Sequence, residues 1–410
     1  MIRNLLIIAR LLLGAVFIFS GFVKGVDPMG STYKFIDYFT AFGMPALSPL
    51  AFPLAVLLNA AEFTIGIALV LGARMKEASW SVLLFMVFFT ILTFILALTN
   101  PVSDCGCFGD ALKLTNWETF YKNIILMALA VVIFLNRNKY TPAYSAAAEW
   151  IWLAGSVVFI FGITVYSYRH LPILDFRPYK IGTDINQGMI IPEGMPTDKF
   201  RTILYYEKEG VVKEFTEENY PWDDSTWVWK DSKTELIEKG YEPPIHDFNI
   251  ITPEGVDITD NILYHEGYTM LVVAHRLEKA NKAALVKANE LARYFHEKGY
   301  GFYCLTSSLV DEIETLREDW QLDFEFCHTD DITLKTIIRS NPGFVLLKEG
   351  TIIDKWHYND MPEIKSLPDN LMSHSIRKLV DGNETNRVYI LLFALVLYAF
   401  AFHQFRRYKE

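Results

Sequence analysis

The sequence predicts an α-helical membrane bundle with a water-soluble α/β domain inserted ahead of its last span. Three observations carry this. Six apolar runs are each long enough to cross a bilayer, which takes about 20 residues. Charge is segregated: the formal net charge is −10, and roughly the first 170 residues carry few of the charged groups while the 210 or so that follow carry most. From about Pro243 onward, β-rich and helical segments alternate, the signature of an α/β layer. The chain is 51% hydrophobic and 15% aromatic, high for a water-soluble protein. The soluble half has no basic patch, which excludes nucleic acid as a partner, and four cysteines are too few for a disulfide-dense scaffold.

The predicted spans are Leu5–Val23, Leu50–Leu71, Ser79–Leu98, Trp117–Leu135, Trp150–Tyr168 and Val388–Phe405. The second and third are joined only by "GARMKE", a tight helical hairpin. The first carries Arg10 and lacks a small-residue cleavage site after "GFVKG", so it reads as a retained span. Arg3, the Arg74/Lys76 loop, the Arg137/Lys139 loop and the tail with Arg406, Arg407 and Lys409 fall on one side if there are six spans. Lysine and arginine in short loops mark the cytoplasmic side. Both termini are therefore expected in the cytoplasm, and residues 169–387 outside it. Lys24, Lys34 and Arg169 run against the rule. Trp117, Trp150 and Trp152 suit an interfacial aromatic belt.

Between spans three and four lies "NPVSDCGCFGDALK", with Cys105 and Cys107 around Gly106. In the predicted topology this loop faces outward, where disulfides persist. Glycine permits the bend that two cysteines so close in sequence need, and a strained bridge would be an exchangeable one. The start of span four favours a thiolate through its dipole, while Asp104 and Asp110 oppose it. The candidate readings are redox exchange, a static bridge or inert thiols, and, less readily, zinc, for which no histidine is nearby. In the loop 25–49, Phe35, Tyr38, Phe39 and Phe42 recur at helical spacing, which predicts a short amphipathic helix on the bilayer that anchors the loop or roofs the thiols.

Charges inside spans are costly and normally paired. Helix rise puts Arg10 roughly 9 Å and Glu62 roughly 14 Å from the same face. They are expected to pair across antiparallel helices, with Asn59 completing a polar cluster.

"IARLLLGAVFIFSGFVKGVDP", "LNAAEFTIGIALVLGARMK" and "DCGCFGD" together resemble the DoxX-like and MauE-like (methylamine utilisation) family of four-helix membrane proteins. Arg10, Ser20 to Lys24, Glu62, Gly66, Gly72 and the Cys105-Gly106-Cys107 loop carry the resemblance over about residues 1–140. It implies redox or maturation work in the bacterial envelope. The helical arrangement is also similar to that of membrane thiol oxidoreductases that pass electrons to quinone. Those carry CxxC, where this chain has one residue between its cysteines. Quinone is thus a candidate cofactor, and none is certain.

A fifth span is expected within 141–168 and a β-rich connecting subdomain within 169–242, including the hairpin "FRTILYYEKEGVVKEFT". Trp222, Trp227 and Trp229 are expected to pack its core. Residues 243–380 follow as strand–helix units, "YTMLVVAH", "YGFYCLTSS" and "DFEFCHTDD" being the strands and "NPGFVLLKEGTIIDKWH" a closing hairpin. The sixth span and its tail take 381–410. This order, the Pro244–Gly255 entry and Asn341-Pro342 resemble the thioredoxin fold in its TlpA-like and peroxiredoxin-like branch. Where that fold carries CxxC, this chain reads "AHRLEKANKAA". The resemblance therefore implies a groove bordered by His275, Arg276 and Pro342 without its own thiols. Cys304 and Cys327 end neighbouring strands, either as buried small residues or as a second thiol pair beside His328.

Two functional expectations follow. One is a bacterial inner-membrane thiol–disulfide protein that uses Cys105 and Cys107 on an extracytoplasmic client held by the thioredoxin-like domain. The other is a non-catalytic assembly factor whose domain only binds a partner. A small-molecule carrier is a weaker third, since no inverted repeat supports it.

Overall fold

The computed structural model describes residues 2–102, 104–141, 144–238 and 240–364. The expected sixth span lies outside the described residues. Six longer helices open the chain: α1 (Ile2–Val26), α2 (Pro28–Ala41), α3 (Ala51–Leu71), α4 (Met75–Thr99), α5 (Asn116–Leu135) and α6 (Ala146–Arg169). Among the described residues, five are long and apolar enough to cross a membrane; α2 is not one of them. The chain is a membrane protein. Local chemistry explains the helix ends. Asp27 caps α2 by accepting from the Gly30 amide, with Pro28 in the first turn. Thr115 and Glu118 form a reciprocal capping box on α5, and Gly72 closes α3 at φ 68°.

Glycines set the register of α1 against α3. A Cβ at Gly21 would lie 2.5 Å from the Phe63 amide nitrogen, and one at Gly66 would lie 2.6 Å from that of Ile18. The two backbones therefore touch, as small residues allow between membrane helices. This contact carries the Arg10 guanidinium to Gly72 at one end of α3 and brings Ser20 and Lys24 level with Asn59 and Glu62. Helix α6 packs against the same pair through buried Ile160, while Asn123 joins α5 to α4, its Nδ2 lying 3.1 Å from Thr93 Oγ1 and 3.3 Å from the Phe89 carbonyl. The C-terminal ends of α1, α4 and α6 and the N-terminal ends of α3 and α5 share one end of the bundle. Helix α2 and the thiol loop are both at that end.

The short helix α7 (Ile185–Met189) begins a separate compact unit, Asp184–Phe248, containing β1 (Lys199–Lys208), β2 (Val211–Thr216) and β3 (Val228–Glu238) in the order β2-β1-β3. The β1–β2 hairpin turns on Glu209 and Gly210, both at positive φ (53° and 81°), which matches the twist of paired strands. The expected tryptophan core is not what forms. Trp227 packs edge-on against Phe215 at 5.1 Å, but Trp222 and Trp229 are 80% and 55% exposed, because a sheet of three strands has two faces and, among the described residues, these two rings are left on the open surface.

The connecting segment also divides differently from the expected 169–242. Residues up to Thr183 belong with the membrane helices and the α/β region. Arg177 and Lys355 both pair with Asp175, at 2.7 and 3.0 Å, and the Gly182 amide donates to the Ile352 carbonyl at 2.7 Å. These bonds tie the segment to the last strand of the larger sheet.

The larger sheet is built from α8 (Thr259–Leu263), β4 (Tyr268–Val273), α9 (Lys282–Glu297), β5 (Gly301–Thr306), α10 (Val310–Trp320), β6 (Glu325–His328), α11 (Asp331–Ile337), β7 (Gly343–Lys348) and β8 (Thr351–His357). Its strand order is β6-β5-β4-β7-β8. The pairs β4–β5 and β5–β6 are parallel, whereas β4–β7 and β7–β8 are antiparallel. Met270, Val272, Phe302, Phe344 and the inner face of α9, with Leu285, Ala288, Leu291 and Phe295, form one core. The Asn341–Pro342 peptide bond is cis.

Candidate functional site

Cys105 and Cys107 sit in an irregular loop held from several directions. Gly106 is at φ 65°, a conformation that places both side chains on one side of the bend and that glycine adopts without cost. The two Sγ atoms are 2.7 Å apart, inside van der Waals contact, and both are free thiols. From α2, one turn apart on one face, Lys34 pairs with Asp104 at 2.8 Å and the Tyr38 hydroxyl donates to the Cys105 carbonyl at 2.5 Å. Asp104 accepts from the Gly106 amide at 2.8 Å. From α1, the Ser20 hydroxyl lies 2.7 Å from the Cys107 carbonyl and 2.9 Å from Glu62 Oε2. The amphipathic helix is therefore a roof over the thiols.

The thiols are unequal. Cys107 is lowered to about 6, chiefly by the hydrogen bond from the Cys105 thiol, with the Lys122 and Lys24 ammonium groups adding to it against the cost of burial. Cys105, the donor in that bond and itself buried, is pushed well above the ordinary thiol value. Near neutral pH the pair holds one nucleophilic thiolate and one protonated neighbour. The helix dipole invoked from sequence plays no part: a turn of 3₁₀ helix at Gly109–Ala111 and an extended segment separate Cys107 from the start of α5.

Beneath the loop, the intramembrane ion pair is Glu62 with Lys24, at 2.7 Å to both carboxylate oxygens, with side chains only 6–7% exposed. Asn59 Nδ2 donates to the Lys24 carbonyl at 3.0 Å. The expected Arg10–Glu62 pair does not form. Helix rise gave the depths, but the glycine register decides the partner, and it takes Arg10 to Gly72. Lys24, Ser20 and Lys122 were missed as site residues. Lys24 was legible as an ion at a span end that broke the loop-charge rule, and Lys122 as a charge inside a predicted span.

The α/β region meets the loop through Arg339, whose nearly buried guanidinium lies 2.9 Å from both Asp27 and Asp110. His275, from the end of β4, stands edge-on to Tyr33 of α2 at 6.3 Å. Burial, with the charge of Lys335 beside it, lowers His275 to about 4, so it is neutral at physiological pH. The Arg276 carbonyl accepts from Asn341 Nδ2 at 2.8 Å, which brings His275, Arg276 and Pro342 to one edge of the sheet. Cys304 and Cys327 do not form a second pair. Cys304 is paired in register with Phe326, and Leu305 with Cys327. Side chains alternate along a strand, so the two thiols point to opposite faces. Among the described residues, no three His, Cys, Asp or Glu side chains gather as a metal cage.

A bundle of membrane-spanning helices with a buried ion pair and a roofed dithiol at one end defines the class. Within it, residues 2–136 match the family described as Methylamine utilisation protein MauE, and residues 200–239 match a domain of unknown function, DUF8463. No curated protein and no solved structure matches the chain.

Proposed function

We propose that this protein is a thiol–disulfide exchange factor of the bacterial cytoplasmic membrane. In this reading both termini are cytoplasmic, and Cys105 and Cys107 act on the cysteines of an extracytoplasmic client. The observation that carries the reading is the contact pair itself, two free cysteines with their Sγ atoms 2.7 Å apart in one bend, in surroundings that favour the thiolate at Cys107 over Cys105. Exchange proceeds by thiolate attack on a disulfide sulfur through a mixed disulfide. Cys107 is the attacking sulfur and Cys105 the resolving one; in the opposite direction, the client thiolate attacks the bonded pair.

The α/β region serves as a thioredoxin-like module with no cysteine in the segment after β4. Its three parallel strands followed by an antiparallel hairpin support that fold, and the His275–Arg276–Asn341 edge beside α2 offers the client a surface. The absence of thiols from that edge favours a second reading, a non-catalytic assembly factor. Trapping separates the two. Cys105→Ser in whole cells should accumulate a mixed disulfide between Cys107 and a client, visible as a reducible band shift. If neither Cys105→Ser nor Cys107→Ser traps any protein and both support normal function, exchange is refuted and the assembly reading stands.

A further inference from the structure

An apolar cavity of about 670 Å³ lies directly against the thiol pair, a size suited to one small organic ligand. Aromatic rings from α2 and α4, among them Phe39 and Phe89, make much of its wall, and both cysteines border it. Helix α2 lies over the thiol loop, held by the Lys34–Asp104 pair and by Arg339 on Asp27 and Asp110. Leu57 and Phe88 also line the cavity and are 65% and 62% exposed on the apolar flank of the bundle. The cavity therefore opens sideways between α3 and α4, toward lipid. Charged groups gather at its thiol end: the Lys24–Glu62 pair and Lys122, whose ammonium sits 4.3 Å over the Phe108 ring.

We infer that this cavity takes a small lipid-soluble disulfide, R–S–S–R with apolar arms, and that Cys105 and Cys107 reduce it. The inference rests on the thiol-exchange reading and names the class of substrate that reaches the thiols from the membrane side. An exchange partner has to bring a sulfur into line with Cys107 Sγ, and the open space beside the pair is apolar and entered from lipid. Its size selects a compact molecule over a membrane-spanning segment of a protein: a helix about 10 Å across would fill it with less than about two turns. The Cys107 thiolate attacks one substrate sulfur, the substrate S–S bond breaks, and the first R–S⁻ leaves at the end of the cavity that holds the Lys122 ammonium. The Cys105 thiol gives its proton to that R–S⁻, and its sulfur attacks Cys107, forming the Cys105–Cys107 bond and releasing the second R–S⁻. One disulfide bond is lost and one is gained, and two electrons pass from the cysteine sulfurs to the substrate. Client dithiols that reduce the Cys105–Cys107 bond complete the cycle, so the chain carries their electrons to a disulfide dissolved in the bilayer.

The full chain, purified in nanodiscs and reduced, is mixed with didecyl disulfide, and released decanethiol and the Cys105–Cys107 bond are followed together by mass spectrometry. Parallel samples receive water-soluble hydroxyethyl disulfide or a single-span peptide dimer joined by a disulfide. Expected are two decanethiols and one Cys105–Cys107 bond per chain, and in Cys105→Ser an arrest with one decanethiol held on Cys107. Leu57→Trp, which fills the mouth at an exposed position, should lower the ratio of the didecyl to the hydroxyethyl rate at least tenfold. If the wild type reacts with hydroxyethyl disulfide but not with didecyl disulfide, or if Leu57→Trp leaves that ratio unchanged, the lipid-soluble substrate is refuted while thiol exchange stands. Reaction with the peptide dimer but not with didecyl disulfide makes the partner a protein segment and overturns the inference equally. Failure with all three disulfides refutes the exchange reading and this inference with it.

Discussion

Replacing Glu62 with glutamine tests the buried pair that underlies the site. Both carboxylate oxygens lie 2.7 Å from Lys24 Nζ, and the two side chains are 6–7% exposed. Glu62→Gln leaves an ammonium ion without the one carboxylate that pairs with it among the described residues, and with little water to replace it. Removing one member of a buried ion pair costs about 3–5 kcal/mol. Exchanging both for apolar groups of similar size, Lys24→Met with Glu62→Leu, removes both desolvation costs and is expected within about 1 kcal/mol of wild type or more stable. Reversible unfolding in mixed micelles, followed by tryptophan fluorescence, measures all three proteins. Arg10→Met supplies the control. Arg10 lies at Gly72 rather than at Glu62, so its effect should add to that of Glu62→Gln within about 0.5 kcal/mol. The reasoning is refuted if Glu62→Gln costs less than about 1 kcal/mol, or if the cycle shows Arg10 strongly coupled to Glu62.

Three further predictions concern the parts around the thiols. Arg339→Ala leaves Asp27 and Asp110 without their shared cation; we expect a loss of about 3 kcal/mol or more and faster hydrogen exchange in α2 and residues 104–111, and unchanged exchange there would contradict the clamp. Gly106→Ala forces a side chain into a left-handed conformation that costs about 1–2 kcal/mol and would place its Cβ 2.9 Å from Lys34 Cγ. Disulfide formation between Cys105 and Cys107 should slow several-fold, as read by timed alkylation. Oxidation of the native protein should yield no Cys304–Cys327 bridge by peptide mapping, because the strand register sends the two thiols to opposite faces; finding that bridge would overturn the register.

Much of the architecture was legible because it follows from short-range pattern. Hydropathy located the five described spans, the strand–helix alternation located the parallel strands, and Glu209-Gly210 located a hairpin turn. What stayed hidden depends on how elements meet. The partner of Glu62 is set by backbone contact at Gly21 and Gly66, which depth along a helix does not contain. The sequence offered both anchor and roof for α2, and the choice rests on Lys34 and Tyr38 reaching a loop some seventy residues away in sequence. Cys304 and Cys327 looked like neighbours because strand adjacency was predicted without the one-residue offset that decides the face. Arg339 carried no local signal: its carboxylate partners come from two distant loops.

The measurement that tests the central claim most directly is the pH dependence of alkylation at each thiol of the reduced full-length protein, resolved by mass spectrometry. A thiol lowered to about 6 is mostly thiolate above that pH, so the Cys107 rate should rise through pH 6 and level off by about pH 7. Cys105, raised by its hydrogen bond to Cys107 and by burial, should stay slow throughout and react faster in Cys107→Ser. If instead both cysteines titrate together near the ordinary thiol value of about 8.5, or Cys105 is the more reactive, the unequal pair on which the account depends does not exist.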